Sequence, residues 1–364
     1  MSRECKYRIL AERIIRQIED GTWKAGDRLP AERELAQHYR VSRVTMRHAL
    51  ELLVAEDRLY RIRGAGTYVK DRSLKGMVIC VIADVPVGGL SDNPFIVEVL
   101  EGVQDAVEDM GDQRNVELTV CLRRRNESVQ ILCPGLFRAR RGAVFLVATA
   151  LAKDDLELLT RHGIVVVSLG RHEGDVSYLE VDHTAGMRQA VSHLIRRHGC
   201  HRIGLLPGSS KDCHAQERIK GYRMALQESG LTVDEGWIQP NVPWDEKQSV
   251  EALRRLLERR PELDAVVVMG DWAAYGVLNW LHTAGIRVPQ DLKLVGYDDF
   301  SWLQRVTGET LTAVGQPFRE LGAEGIRTIL EIAKAKKSCL IRKYYQPVLN
   351  VRTSCGCDRT ATGD

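Results

Sequence analysis

The stretch DRLPAERELAQHYRVSRVTMRHAL, residues 27–50, concentrates cationic side chains able to grip an anionic surface. Arg33, Arg43 and Arg47 carry guanidinium groups, whose paired N–H donors match a guanine edge or a phosphate. Ser42 and Thr45 add short hydroxyl donors, and Arg61 and Arg63 follow in RLYRIRGAGTYV, residues 58–69. One such arginine alone would be an ordinary solvated side chain. Together they point to a surface for double-stranded DNA, with hydroxyls and backbone amides on phosphates and guanidinium groups available to base edges.

That chemistry needs rigid placement, and the apolar periodicity supplies it. Ile9, Leu10, Ile14, Ile15 and Ile18 recur at helical steps within YRILAERIIRQIED (7–20), and Gly21 ends that helix. A short helix fits 31–38, with Pro30 at its entry and Leu35 and Ala36 inward. Ser42 suits the N-cap of a third helix, whose buried stripe is Met46, Ala49, Leu50 and Leu53. The short turn between the last two helices predicts a helix-turn-helix, with Arg43, Thr45 and Arg47 near the start of the recognition helix. The alternating segment around Gly64-Ala65-Gly66 predicts a two-stranded hairpin, a basic wing.

The charge is distributed accordingly. Residues 1–72 hold 16 Lys and Arg against 11 Asp and Glu, a net +5, while the remaining 36 against 38 give −2. A basic module on a near-neutral body is the expected footprint of a nucleic-acid-binding head. At 364 residues, 44% hydrophobic and 28% charged, the chain is globular in composition and long enough for two or three domains. It lacks an apolar run of membrane-spanning length, and its N-terminus does not read as a secretory signal. A cytoplasmic location without membrane partners is expected. The nine cysteines include no CxxC pair and no matched Cys/His spacing, so neither a disulfide framework nor a structural metal is expected. Cys355-Gly356-Cys357 reads as two reduced thiols in a mobile tail.

After the polar joint KDRSLKG (70–76), apolar runs alternate with amphipathic helices: MVICVIA (77–83), VELTVCL (116–122), GAVFLVA (142–148), GIVVVSLG (163–170), RIGLLPG (202–208), DAVVVMGD (264–271) and LKLVGYDD (292–299). Val/Ile/Leu runs joined by helices predict parallel sheets covered on both faces, enough strands for two, with a break near Asp182. GxxxxGK[ST], GxSxG and HExxH are all absent, which argues against an enzyme. No cofactor is expected.

The segments GDRLPAERELA, VSRVTMRHALELL and RIRGAGTYV, in that order and spacing, resemble the winged-helix domain of GntR-type bacterial regulators. The resemblance covers residues 7–69 and departs at Ala25, where a proline is usual. It implies operator contacts from Arg33, Ser42, Arg43, Thr45, Arg47, Arg63 and Gly64. The segments NPFIVEVLEGVQDAVEDMG, VDHTAGMRQAVSHLIRRHGCHRIGLLPG, ERIKGYRMALQESGL, DAVVVMGDWAAYGVLNWLHTAGIRVPQDLKLVGYDD and LTAVGQPFRELGAEGIRTIL resemble the effector-binding core of LacI/GalR-type regulators. A GntR-type head on such a body is the composition of AraR-like arabinose regulators.

The resemblance implies an α/β fold: a small winged helix-turn-helix domain (1–70), a linker (71–76), a periplasmic-binding-protein-like body of two subdomains with parallel sheets (77–355), and a tail (356–364). It also implies a cleft that binds a small effector, with Arg218 donating a forked pair, Asp298 accepting, Asp271 at the end of the preceding strand, Trp244 stacking, Phe95 on the opposite wall and Asp182 orienting Arg218. Gly270 and His183 stand where the family more often has asparagine. A charged pair with an indole face suits a polyhydroxylated ring, so a monosaccharide or derivative is the expected effector; a purine, a sugar phosphate or a protein partner is the alternative. The expected function is that of a homodimeric transcriptional repressor on a pseudo-palindromic operator.

Overall fold

The structure, a computed structural model, describes residues 3–56, 58–62, 65–70, 76–84, 94–110, 116–124, 127–139, 141–147, 149, 151–171, 175–209, 212–240, 242, 245–308, 310–335 and 340–358. Arg63, Gly64, Trp244 and residues 71–75 of the joint lie outside them.

The chain begins with helices α1 (Arg3–Glu19), α2 (Glu32–His38) and α3 (Arg43–Ala55) and the antiparallel hairpin β1 (Leu59–Ile62) and β2 (Gly66–Val69). Leu10, Ile14, Leu35, Met46, Ala49, Leu50, Leu53, Leu59 and Val69 share one buried core, so each element contributes an apolar face to it. The expected stripe of α3 is buried in full. Ile9, expected inward on α1, is instead 42% exposed, because Leu10 and Ile14 already fill the inner face and Ile9 falls on its flank.

The elements that follow are β3 (Met77–Asp84), α4 (Pro94–Asp109), β4 (Val116–Arg123), α5 (Val129–Leu132), α6 (Pro134–Arg138), β5 (Arg141–Val147), α7 (Lys153–Arg161), β6 (Val165–Leu169) and β7 (Ser177–Val181). Next come α8 (His183–His198), β8 (Ile203–Leu206), α9 (Cys213–Glu228), α10 (Glu246–Arg259), β9 (Ala265–Val268), α11 (Asp271–Thr283) and β10 (Lys293–Asp298). The last are α12 (Ser301–Thr307), β11 (Thr312–Gly315), α13 (Phe318–Lys334), β12 (Arg342–Tyr345) and β13 (Val348–Asn350).

These elements group into two compact units. One comprises Met1–Asp84, Gln104–Val167 and Ile326–Cys339; the other comprises Val85–Val103, Ser168–Gly325 and Leu340–Asp364. In the first, β3 runs parallel to both β4 and β5 and is buried along nearly its whole length. β4 is an edge strand, and Val120 and Leu122 on it are over 40% exposed, so its apolar run is not covered on both faces as expected.

In the second unit, a five-stranded sheet has the order β13-β11-β10-β9-β8. β8, β9, β10 and β11 are parallel and β13 closes the edge antiparallel. Residues of α8 and α9 pack with β8, β9 and β10 in one core that includes Leu194, Tyr222, Val267 and Tyr297. The approach of α9 to α8 requires Gly221, since a Cβ there would collide with the carbonyl of Thr184. That contact fixes the helix turn bearing Arg218.

Candidate operator and effector sites

The candidate DNA surface gathers on α2, α3 and the hairpin. Ser42 has extended backbone angles, and its hydroxyl accepts the Thr45 N–H at 3.1 Å and lies 2.8 Å from the Thr45 hydroxyl. The first turn of α3 is thereby capped, with one of its otherwise unpaired N–H groups satisfied. Arg33, Arg43 and Arg47 are all exposed.

Glu32, on α2, joins the pieces: its two carboxylate oxygens accept from Arg47 Nε on α3 and Arg61 Nη2 on β1, each at 3.3 Å. These exposed pairs contribute only about 0–1 kcal/mol, yet they set the resting direction of both guanidinium groups. Val44 projects beside Arg43 and is 43% exposed, an apolar group of the kind that can meet a thymine methyl. The sequence reading missed Glu32 and Val44. The signal for Val44 was its position between the polar Arg43 and Thr45, off the stripe formed by Met46 and Ala49.

The candidate effector residues lie in the second unit. Arg218 is 3% exposed, its Nη1 is 3.4 Å from Asp212 Oδ2, and its guanidinium lies 5.2 Å from the centre of the Tyr297 ring. The Tyr297 hydroxyl is 3.1 Å from His183 Nδ1. Burial and the nearby Arg218 charge push His183 well below its ordinary pKa, so it is a neutral ring at physiological pH.

Asp298 follows Tyr297 with φ of 110°, a conformation L-residues rarely adopt, and Asp299 follows with φ of 59°. Burial raises the Asp298 carboxyl to about 6, although Arg218 and a 2.6 Å hydrogen bond from Gln316 Nε2 both favour its ionised form. Asp299 is held by Arg352 at 2.8 and 3.0 Å and by Gln304 at 2.6 Å.

Asp271 is wholly buried, and its Oδ2 accepts the Phe300 N–H at 2.6 Å. Burial, with Asp298 as neighbour, pushes its carboxyl well above the usual range. The contact it makes steadies the turn that carries Asp298. The Phe95 ring meets Phe318 at 5.5 Å with a tilt of 35°, and Phe318 stacks on Phe300 at 5.5 Å. Glu98, one turn beyond Phe95, accepts the Ser301 N–H at 3.4 Å. Asp182 caps α8, accepting the Ala185 N–H at 2.8 Å.

Arg218, Asp298, Asp271 and Phe95 are thus linked through Tyr297, Phe300 and Phe318. Trp244 lies outside the described residues. Two features escaped the sequence reading: Asp212 as the carboxylate beside Arg218, and the indole of Trp272, 39% exposed and edge-on to Trp302 at 4.8 Å.

Residues 6–69 match the family described as bacterial regulatory proteins of the gntR family, and residues 191–355 match the periplasmic binding protein-like domain. The HTH-type transcriptional regulator CelR of Thermobifida fusca is 30% identical over 268 residues, 72% of this chain and 76% of that protein. The chain belongs to the GntR/LacI-type transcription regulators.

The arabinose metabolism transcriptional repressor of Geobacillus stearothermophilus is 27% identical over 368 residues, 96% of this chain and 97% of that one. A solved structure, the transcriptional regulator CelR-cellobiose complex, shares the fold at 24% identity with a TM-score of 0.65, covering 90% of this chain and 100% of its own. These GntR/LacI-type relatives are regulators and not enzymes, in keeping with the absence of catalytic motifs. Among the described residues, no helix is long and apolar enough to cross a membrane.

Proposed function

We propose that this GntR/LacI-type regulator is a repressor that binds a pseudo-palindromic operator as a homodimer and releases it when a monosaccharide or close derivative occupies the Arg218–Asp298 cluster. In this reading residues 1–70 form the head, 71–76 the linker and 77–355 the effector body, all acting in the cytoplasm where the operator is. The observation that carries the proposal is the joining of an exposed arginine-rich recognition helix to a second unit in which a buried guanidinium, an aromatic ring and a partly buried carboxylate converge.

A sugar ring offers apolar C–H faces and hydroxyls that must keep their hydrogen bonds when desolvated. Asp298 accepts hydroxyl hydrogens, Arg218 donates to ring or hydroxyl oxygens, and an indole covers the apolar face. Trp244 and the exposed Trp272 are the two candidates for that indole. The relatives named for arabinose metabolism and solved with cellobiose support the sugar class. At the operator, Arg43 and Arg47 read base edges, while Arg33, Ser42, Thr45 and the wing residues Arg63 and Gly64 position the head on phosphates. Two heads related by a twofold axis address two half-sites.

A thermal-shift screen of the whole protein against pentoses, hexoses, disaccharides, uronic acids, sugar phosphates and purines tests the reading. Saturation at about a hundred times Kd stabilises the folded state by roughly 2.7 kcal/mol. A neutral sugar should raise Tm in the wild type and not in Asp298→Ala. A purine or sugar phosphate as the only stabiliser would replace the ligand class, and a flat screen would remove the effector site.

A further inference from the structure

The fold brings together four side chains that stand 157 residues apart at the nearest approach of their sequence positions, His198 and Cys355. His193 lies in the last turns of α8 and His198 ends it; Cys355 and Cys357 follow β13. His193 Nε2 is 3.3 Å from His198 Nε2 and 3.4 Å from Cys355 Sγ. Cys357 Sγ is 3.3 Å from His198 Nε2 and 3.7 Å from His193 Nε2. All four candidate ligand atoms fall within 4.8 Å of one another.

A tetrahedral zinc ion with Zn–N of about 2.05 Å and Zn–S of about 2.3 Å has edges of roughly 3.3 Å between nitrogens and 3.5 Å between nitrogen and sulfur. The four nitrogen–nitrogen and nitrogen–sulfur separations above, 3.3 to 3.7 Å, lie close to those lengths. The chain is also shaped around the cluster. Gly356, between the two cysteines, has φ of 101°, and a Cβ there would lie 3.3 Å from the His198 ring. Only glycine turns the backbone so that both sulfurs converge beside that ring.

We propose that His193, His198, Cys355 and Cys357 form a structural zinc site. Two neutral imidazoles and two thiolates neutralise a divalent cation in a soft-donor set suited to zinc. With four protein ligands the ion has no open position, so the site is a clasp and not a catalytic centre.

The clasp fastens the chain after β13 to the end of α8. Cys355 is fully buried, and the neighbouring Ser354 hydroxyl donates to the Leu294 carbonyl at 2.7 Å and accepts the Thr312 N–H at 2.8 Å. The segment therefore does not trail in solvent: it joins α8 to β10 and β11, and β10 is the strand that ends in Asp298. A second buried cluster, Cys80, Cys121 and Cys133, offers three thiols, with no fourth ligand grouped with them among the described residues.

The test uses the whole chain produced in zinc-supplemented medium and freed of loose metal by gel filtration. Elemental analysis should find one zinc per chain. Exchange for cobalt should give the visible absorption of a tetrahedral ion together with thiolate charge-transfer bands. A strong chelator should lower Tm, and added zinc should restore it. Cys357→Ala and His198→Gln should each lose the bound metal and make Tm insensitive to the chelator. Metal-free wild type whose Tm ignores both zinc and chelator would overturn the site, a result that needs no folded variant. Undiminished metal in both variants would place the ion elsewhere, at the three-thiol cluster or at Glu180, His183 and His214, and overturn it as well. A Cys355–Cys357 disulfide in the freshly purified chain, detected by mass, would also overturn it.

Discussion

Asp298 combines a backbone angle that costs of order 1–3 kcal/mol with a carboxyl that burial has raised to about 6. Such strain persists only where the surroundings enforce it, and here the Asp271 contact to Phe300 and the Arg352 clamp on Asp299 do so. If Asp298 receives the proposed effector, the raised value gives that binding a signed pH dependence. A ligand hydroxyl donating to Asp298 favours the ionised carboxylate, so affinity should be full well above pH 6 and fall as pH drops through it. Calorimetric titration of the stabilising sugar from about pH 5 to about pH 8 should show this fall, by up to tenfold per unit at the acid end. Asp298→Asn should bind more weakly with a flatter profile; a flat profile in the wild type would remove Asp298 from the ligand. The sequence marked Asp298 through its GYDD setting. It could not show that Asp271 is sealed from solvent or that Asp212 sits beside Arg218, because both facts depend on how strand ends and helix starts converge in space.

At the scale of elements, α3 was legible because local chemistry and tertiary packing agree. Ser42 caps it, Met46, Ala49, Leu50 and Leu53 lie on one face, and every one of these four is buried. β9, a short run of AVVV, was legible for a similar reason. β7, β12 and β13 were not. β7 reads SYLEV and contains the buried carboxylate Glu180, which interrupts the apolar signal; β12 reads RKYY and β13 is three residues long. The His/Cys tetrad was illegible because its halves are remote in sequence and meet only when α8 packs beside the end of the chain. The Ser42 cap can be separated from any phosphate contact by substitution. Ser42→Ala should destabilise the protein by about 1 kcal/mol, whereas Asn and Asp cap as well as Ser and should keep Tm near the wild-type value. On DNA the order should differ: Asn should retain most affinity, while Asp sets a carboxylate toward the phosphates and should weaken binding, most strongly at low salt. Equal operator affinity for the Asn and Asp variants would show that the α3 N-terminus does not face the DNA backbone.

For the whole molecule, the +5 of residues 1–72 against −2 for the rest assigns the salt-dependent part of DNA binding to the head. Log affinity should fall linearly with log salt, with a slope of about −0.9 for each phosphate neutralised, and loss of Arg33 should reduce that slope by about one. Effector control is a different quantity, a coupling free energy between two sites. A ligand can move the operator equilibrium only by as much as its affinities for the DNA-competent and DNA-released states differ. The same coupling must then appear in both directions. If saturating sugar weakens operator binding by some factor, saturating operator must weaken sugar binding by that same factor at equal salt and temperature, typically about 5- to 150-fold. Both can be measured on the intact protein, by fluorescence anisotropy of a labelled operator and by calorimetry of the sugar with and without unlabelled DNA. Arg47→Ala should reduce operator affinity by about 1–3 kcal/mol while leaving sugar affinity in the absence of DNA unchanged, since its contacts lie on the head. A sugar that binds tightly at Asp298 but shows no coupling in either direction would mean that this cluster holds a ligand without regulating the operator, and the repressor mechanism would have to be sought elsewhere in the chain.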